Sequence, residues 1–273
     1  MMQKMIPLSI CIACWFSVSN VAGQTPSQSQ KDDRKAGNRI TLAIHGIEYA
    51  FRWCPPGTFV MGSPPSEADR NNNEFQHQVV LSRGFWMLET EVTQEMWGSV
   101  MDKNPSRFQG IKLPVEQISW NESQEYIQKL NDLGVAPVGF KFSLPTEAQW
   151  EHACRAGTTT AYHFGSTLSR EQANLWLRNQ QTIEVGSYPA NAWGLHDMHG
   201  NVWEWCLDWY DEYPSGTTVT DPTGPLLGAY RIFRGGSWCV GARLCRSAYR
   251  GGNPPELKND FLGFRLVLVF ESW

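Results

Sequence analysis

Alternating apolar and polar residues near the start of the folded region predict a β-hairpin. Residues 40–44 and 49–53 both alternate, and His45-Gly46 between them is typical of a tight turn. Three further apolar runs, at 57–62, 79–81 and 85–88, have the length of short strands. We therefore expect several short strands in this part of the chain.

Three helix starts are marked by residues that cap helices. Thr93 precedes a short helical pattern, and Ser119 opens a capping box followed by apolar residues at helical spacing up to Gly134. Thr146 opens a second capping box, whose helix is expected to stop at Gly157. The rest of the C-terminal half looks loop-rich and ends in one predicted buried strand, 263–270. This mixture predicts an irregular, loop-rich α+β fold.

The N-terminus has the pattern of a secretory signal. A short basic start, an apolar stretch from 5 to 18 and the small residues 21–23 predict a signal peptide over 1–23. Residues 24–38 are polar and read as a flexible tether before a domain at 39–273. We therefore expect an exported protein, periplasmic or extracellular, with a lipid anchor at Cys14 as the alternative. No later apolar run is long enough to cross a bilayer.

Composition narrows the classes of partner. The formal net charge is −4, and Arg234-Gly235-Gly236 is a single, unrepeated Arg-Gly-Gly, so no nucleic-acid partner is expected. The chain holds 13 Trp and 13 Phe beside 24 Gly and 16 Pro, which indicates loops held in place by large aromatic side chains.

Export would leave five cysteines in an oxidising compartment, where thiols usually pair. They are Cys54, Cys154, Cys206, Cys239 and Cys245. Because the number is odd, at least one thiol is left without a disulfide partner within the chain. Cys239 and Cys245, in RGGSWCVGARLCRSAY, are either a catalytic thiol pair, a local disulfide, or one buried thiol beside a variable surface residue.

Arginines surround these two cysteines and could lower the pKa of their thiols. They are Arg231, Arg234, Arg243, Arg246 and Arg250. Thiolates are soft ligands that select Cu(I) over Ca²⁺ or Mg²⁺. The stretch is therefore a candidate copper site.

A second candidate site is GLHDMHGNVWEW, residues 194–205. Asp197 and Glu204 flank a glycine turn, where carboxylates and backbone carbonyls could bind Ca²⁺. The alternative is a polar turn with aromatic anchors. A further hypothesis joins His196, His199 and Glu204 in an iron or zinc site.

An ordered series of motifs carries a family resemblance. The motifs are GTFVMGS (57–63), ETEVTQEMW (89–97), PVEQISW (114–120), LPTEAQWEHACRAG (144–157), GLHDMHGNVWEW (194–205), FRGGSW (233–238) and GFRLV (263–267). Over about residues 40–270 the chain resembles the sulfatase-modifying factor domain, the family of the formylglycine-generating enzymes. The resemblance implies a compact fold related to C-type lectins, poor in regular structure and holding structural Ca²⁺.

Carried over by position, the resemblance assigns ligands for two calcium ions. One set comprises the side chains of Asp197 and Glu204 with the carbonyls of Gly200 and Val202. The other begins at Asn174 and Leu175, where the following loop is shorter and its carboxylate has no clear counterpart.

In the catalytic members, two cysteines near this Gly-Gly-Ser bind Cu(I), capture the cysteine of an unfolded sulfatase peptide, and use O₂ to convert it to formylglycine. Counting from Ser237, the second family cysteine falls on Cys245, whereas the first falls on Val240 and not on Cys239. The candidate catalytic residues are Cys239, Cys245 and Ser237, with the two thiols as copper ligands. Cys154 matches a family cysteine whose disulfide partner would fall on Arg250, so that bridge is missing.

Two classes of function follow. The chain is either a copper-dependent oxidase of protein or peptide cysteines, or a catalytically silent paralogue that binds a protein or small ligand. One branch of such domains is diversified by retroelements that rewrite asparagine codons. Such rewriting of an asparagine codon can produce each of the residue types found at Cys239, Val240, Gly241, Leu244, Tyr249, Gly251 and Gly252.

Overall fold

The computed structural model describes residues 33–176, 179–214 and 216–271. The predicted signal peptide and most of the predicted tether lie outside these residues. The compact unit that carries the fold begins at Arg34. Gly37 donates its backbone N–H to the carbonyl of Trp53, so the end of the predicted tether is bonded to the first hairpin.

Twelve short strands and three helices form the described part of the chain. In chain order the strands are β1 (Arg39–Ile44), β2 (Ile47–Cys54), β3 (Gly57–Met61), β4 (His77–Leu81), β5 (Phe85–Leu88), β6 (Phe140–Ser143), β7 (Trp203–Trp209), β8 (Val219–Thr220), β9 (Arg231–Arg234), β10 (Gly251–Asn253), β11 (Leu262–Phe264) and β12 (Val267–Phe270). The helices are α1 (Gln94–Gly98), α2 (Trp120–Asp132) and α3 (Glu147–Arg155).

The strands form three sheets. A five-stranded antiparallel sheet has the order β1-β2-β5-β12-β6, a four-stranded sheet the order β10-β9-β7-β11, and a three-stranded sheet the order β3-β4-β8. The predicted hairpin is confirmed, with Ile44 paired to Ile47 across a turn in which His45 and Gly46 both have positive φ. The second sheet is the one that positions the candidate site.

The helix predictions are confirmed. The Thr93 side chain caps α1 by accepting the N–H of Met96, and Ser119 and Thr146 each form a complete capping box. Helix α3 ends one residue earlier than predicted, because Ala156 takes the left-handed capping conformation just before Gly157.

The prediction of one strand over 263–270 is wrong. β11 and β12 belong to different sheets, and the chain crosses between them at Arg265 and Leu266. The fully buried Arg265 side chain binds the carboxylate of Glu204 and the backbone carbonyl of Leu88, which lie on either side of the break. A buried charge with partners in two elements explains why the strand divides there.

Large aromatic side chains fill the core, as the composition indicates. Trp53, Trp150 and Trp205 are almost completely buried. Trp97 stacks on Tyr126 with ring centroids 5.3 Å apart, and Phe264 meets both rings edge-on. The predicted irregular α+β class is confirmed. Among the described residues, no helix has the length and apolar character needed to cross a membrane.

Candidate functional site

Cys239 and Cys245, the candidate thiol pair, lie beyond the end of β9. Gly235 and Gly236 turn the chain there with φ of +97° and +84°. A short 3₁₀ helix, Ala242–Leu244, then leads into Cys245. A Cβ at Gly236 would stand 2.2 Å from the sulfur of Cys245, so the glycine lets that thiol pack directly on the turn.

Ser237 contacts both thiols. Its hydroxyl lies 3.3 Å from the sulfur of Cys239, and its backbone N–H hydrogen-bonds the thiol of Cys245. The Cys239 thiol is close enough to raise the pKa of Cys245 electrostatically. All five described cysteines are free thiols. The structure thus brings the three candidate catalytic residues together despite the one-residue offset in spacing.

The expected lowering of the thiol pKa by arginines is wrong. Burial raises the pKa of Cys245 to about 12, and burial also raises the pKa of Cys239. No arginine contributes to either shift. Both thiols are therefore protonated at neutral pH.

Three of the five arginines are paired with carboxylates instead. Arg234 binds Glu147 and Glu151, and Arg250 binds both carboxylate oxygens of Glu147. Arg246 binds Glu74 through two hydrogen bonds of 2.7 Å each, and Arg231 stacks between two tryptophan rings. These buried pairs stabilise the fold around the thiols, and of the five arginines Arg243 is the one that lines the Cys239 cavity.

A cavity of about 640 Å³ opens beside Cys239. We call it the Cys239 cavity. Its walls include Tyr162, Leu168, Trp176, Val240, Gly241 and Leu244. Cys239 is half-buried, whereas Cys245 is fully buried, so Cys239 is the thiol that a ligand in this cavity meets first. Asp69 and Arg243 also line it, and a largely apolar cavity with a few polar groups is typical of a site for a peptide or small molecule.

A buried histidine supports Cys245 from behind. Burial lowers the pKa of His199 to about 3, so its ring is neutral. Its Nε2 accepts the N–H of His163 at 3.1 Å, and its Nδ1 therefore donates to the carbonyl of Cys245 at 2.7 Å. The sulfur of Cys154 lies 3.9 Å from Nε2 of His199. Cys154 is the residue that matches the family cysteine whose disulfide partner would fall on Arg250. The hydrogen bonds of His199 therefore hold the backbone at Cys245 in place.

The hypothesis of an iron or zinc site at His196, His199 and Glu204 is not supported. The ring of His196 contacts the carbonyl of Tyr188, and the ring of His199 is occupied as just described. Within the described ranges, no three His, Cys, Asp or Glu side chains are arranged to hold a metal ion.

The carboxylates of the predicted calcium site share one arginine. Glu204 accepts hydrogen bonds from Arg265 and from the indole of Trp150, and Asp197 accepts the N–H of Gly186. Glu91 lies beside them, and its charge, like that of Asp197, acts on Arg265. Burial, followed by the charge of Asp197, raises the pKa of Glu91 well above its usual range.

One oxygen of this cluster lacks a partner. Glu91 Oε1 accepts the amide of Asn201, but Oε2 is buried and has no hydrogen bond within the part of the chain that the structure describes. Three buried carboxylates beside one guanidinium, with an unpaired oxygen, fit a bound hard cation. Since no three side chains form a ligand set, such a cation would also need backbone carbonyls, as at Gly200 and Val202.

The second predicted calcium position is filled by amides. Asn174 donates to the carbonyl of Gln181 and to Asn201, and its own Oδ1 accepts the amide of Asn179. The side chain of Leu175 is fully buried. These described contacts include no carboxylate, and the second calcium position stays a prediction.

Two site residues escaped the sequence reasoning. Glu91 lies within the motif ETEVTQEMW, and Trp176 directly follows Leu175 of the second predicted calcium position. From the sequence, a carboxylate two residues before a helix cap is expected to be an exposed charge. Only the tertiary packing shows that Glu91 is buried. Trp176 donates its backbone N–H to the carbonyl of Val240, which brings its ring to the cavity wall.

Fold and site together define a loop-rich α+β domain that presents a two-thiol cluster at a cavity wall. A family model described as the sulfatase-modifying factor enzyme 1-like domain matches residues 49–269, and the chain belongs to this family. The resemblance read from the motifs is therefore confirmed.

Individual relatives extend the comparison. The formylglycine-generating enzyme of Streptomyces coelicolor is 35% identical over 171 residues, which cover 56% of this chain and 51% of that protein. The serine/threonine-protein kinase pkn1 of Chlamydia caviae is 45% identical over 126 residues, which cover 45% of this chain and 20% of the kinase. Among solved structures, Treponema denticola variable protein 1 is 28% identical with a TM-score of 0.76, covering 84% of this chain and 98% of that one. The chain thus spans about half or less of these two curated relatives, but nearly the whole of the solved domain.

Proposed function

We propose that this protein is a copper-dependent oxidase that converts a cysteine of an unfolded protein or peptide, of the sulfatase type, to formylglycine. The observation that carries the proposal is the contact of Ser237 with both thiols, one of them half-exposed at the Cys239 cavity. The similarity to a formylglycine-generating enzyme supports the same reaction.

The donor set fits Cu(I). Two sulfur atoms held by one serine offer the soft ligands that Cu(I) prefers, and no carboxylate contacts either thiol in the described contacts. Cys239 and Cys245 would hold the ion after losing their protons. When bound, Cu(I) supplies one-electron chemistry toward O₂.

The remaining roles fall to residues of the chain. The half-exposed Cys239 would face the substrate, Trp176 and Val240 line the cavity that the substrate would enter, and Ser237 positions both sulfurs. The net reaction breaks the substrate C–S bond and gives the aldehyde, hydrogen sulfide and water. O₂ accepts four electrons in it, two from the substrate cysteine and two from an external thiol.

The decisive experiment combines copper binding with turnover. Protein loaded with Cu(I) is incubated with O₂, a thiol reductant and a Cys-x-Pro-x-Arg peptide, and the aldehyde is measured by mass spectrometry. We expect conversion by the wild type, loss of it in Cys245→Ser and Cys239→Ser, and its retention in Cys54→Ala, a buried core residue on β2. A wild type that binds copper and makes no aldehyde rules out the oxidase.

We also propose that Asp197, Glu204 and the carbonyls of Gly200 and Val202 bind one structural Ca²⁺. The unpartnered oxygen of Glu91 and the surplus of carboxylates over Arg265 support this proposal. Calcium at about a hundredfold excess over its Kd should stabilise the fold by about 2.7 kcal/mol, and Asp197→Ala should abolish this gain. Thermal unfolding with Ca²⁺ and with a chelator measures it; identical curves would exclude the ion.

A catalytically silent binding module is the second candidate. Treponema denticola variable protein 1 matches over nearly its whole length, and residues of the diversifiable set line two cavities. Val240, Gly241 and Leu244 face the Cys239 cavity, while Tyr249 and Gly252 line a notch of about 340 Å³. A reverse-transcriptase gene and a near-copy of the 3′ end with adenines at these codons, found in the neighbouring DNA, would establish the mechanism of diversity. Their absence leaves an ordinary binding paralogue.

We propose export as the location of either activity. The apolar stretch at 5–18 and the small residues at 21–23 support cleavage after Gly23. Fractionation of cells followed by N-terminal sequencing tests it, with Gln24 as the expected first residue. An acylated Cys14 would replace cleavage by a lipid anchor, and an intact N-terminus in the cytosol would refute export.

A further inference from the structure

A second large cavity lies away from the thiols. It has a volume of about 490 Å³ and is bounded by β3, β4, the start of α3, the end of β7 and the segment 219–225. It shares no lining residue with the Cys239 cavity. Because Asp208 is its buried acidic residue without a bonded cation, we call it the Asp208 cavity.

Asp208 is a buried acid that the nearby Arg250 neutralises only in part. Its side chain is 5% exposed, and its Oδ2 accepts the backbone N–H of Glu147 at 2.9 Å. No Lys or Arg forms an ion pair with it in the described ranges. Burial, and then the charge of Glu147, raises the pKa of Asp208 to about 7.

The arginine in the same wall is already committed. Arg250 donates to both oxygens of Glu147 and to the backbone carbonyl of Asp211, and its guanidinium lies 3.8 Å from the ring centroid of Tyr213. It therefore has little capacity for a ligand anion. An anion in this cavity would meet Asp208 without a free cation to offset it.

Much of the remaining wall is apolar or aromatic, and Asp211 and Glu212 also line it. Trp209, Tyr213, Val219 and Met61 line the cavity, and the rings of Tyr213 and His77 lie with their centroids 4.5 Å apart. Arg250 already lies over the ring of Tyr213 and Arg231 over the ring of Trp209, so these rings offer the ligand apolar surface. A desolvated carboxylate pairs strongly with an ammonium group. Glu147, Asp211 and Glu212 line the cavity together with Asp208, but among the described residues no three His, Cys, Asp or Glu side chains are arranged to hold a metal ion.

We propose that the Asp208 cavity binds a small organic amine, with its ammonium group on Asp208 and its apolar body against Trp209, Tyr213 and Val219. The volume is in the range of sites for small ligands. This inference does not depend on the proposed oxidase, because the cavity and the thiols have separate walls.

The test uses 2-phenylethylamine as the probe and 2-phenylethanol as its uncharged counterpart. Titration calorimetry at about pH 8, where the amine is charged and Asp208 is ionised, should show binding of the amine and at least about tenfold weaker binding of the alcohol. Asp208→Asn should weaken amine binding at least about tenfold and leave alcohol binding nearly unchanged. The asparagine can still accept the Glu147 N–H, so this variant should fold, and circular dichroism checks it.

Asp211→Asn is the matched control. Asp211 stands at the exposed rim of the same cavity, and its substitution should change amine affinity less than about threefold. The proposal is overturned if the amine fails to bind at about 10 mM, if the alcohol binds equally well, or if Asp208→Asn binds the amine like the wild type.

Discussion

Arg246 and Glu74 form a double hydrogen bond in which each guanidinium Nη donates to a different carboxylate oxygen at 2.7 Å. Both side chains are almost fully buried. Arg246 directly follows Cys245, and Glu74 belongs to the loop between β3 and β4, whose residues Ala68 and Asp69 line the Cys239 cavity. The pair therefore ties one wall of the cavity to the segment that carries the thiols.

Arg246→Leu should destabilise the fold by about 3–5 kcal/mol, because it leaves Glu74 buried without its cation. Urea unfolding measures the loss. Lys129→Gln removes the exposed Lys129–Glu125 pair and should cost less than about 1 kcal/mol. Equal losses in the two variants would show that the buried pair has no structural role.

Gly236→Ala should cost clearly more than Gly134→Ala. Both glycines have positive φ, so both alanines pay the left-handed penalty of about 1–2 kcal/mol. Only at Gly236 does the new Cβ also meet the sulfur of Cys245, at 2.2 Å, which adds about 1–3 kcal/mol of overpacking. Thermal unfolding of the two variants gives the comparison, and a smaller loss at Gly236 would contradict the packing described.

The helix starts could be predicted from the sequence because their signals are local. The capping boxes at Ser119 and Thr146 bond residues three positions apart, so they can be read directly from the sequence. The division of the last strand depends on Arg265 and Glu204, which are 61 positions apart. No local pattern could reveal that pairing.

The candidate site shows the same limit. Spacing identified Cys239, Cys245 and Ser237, but their meeting depends on the turn at Gly236 and on the 3₁₀ helix before Cys245. The prediction that arginines lower the pKa of the thiols was wrong because a count of charges cannot show that Arg250 is paired with Glu147, 103 positions away. Long-range ion pairs set the electrostatics of this site, and they become visible only in the fold.

Cys239 should be the first cysteine within residues 33–271 to react with a maleimide. It is half-buried, whereas the other four thiols are fully buried. Because burial raises the pKa of Cys239, its labelling rate should keep increasing as the pH passes the ordinary pKa of a free cysteine. Peptide mapping of briefly labelled protein identifies the residue, with Cys239→Ser as the control. Faster labelling at Cys245 would contradict the structure.

The stability of the fold without an amine should fall with rising pH because of Asp208. Its pKa is about 7 in the fold and near 3.8 when unfolded, so between these values the folded protein holds a proton that the unfolded chain has lost. Stability from this group is therefore highest below about pH 4, declines up to about pH 7, and is constant above.

Asp208→Asn should remove this decline, because an amide does not ionise. Relative to wild type, the variant should gain at most about 4 kcal/mol between pH 4 and pH 8, at 1.36 kcal/mol per pKa unit. The charged groups facing Asp208 are Glu147, Arg250 and Arg231, and all three remain in the variant. Urea unfolding at stepped pH measures the difference, with Asp211→Asn as the exposed control expected to parallel the wild type. Parallel curves for Asp208→Asn would show that Asp208 is ionised as readily in the fold as in the unfolded chain.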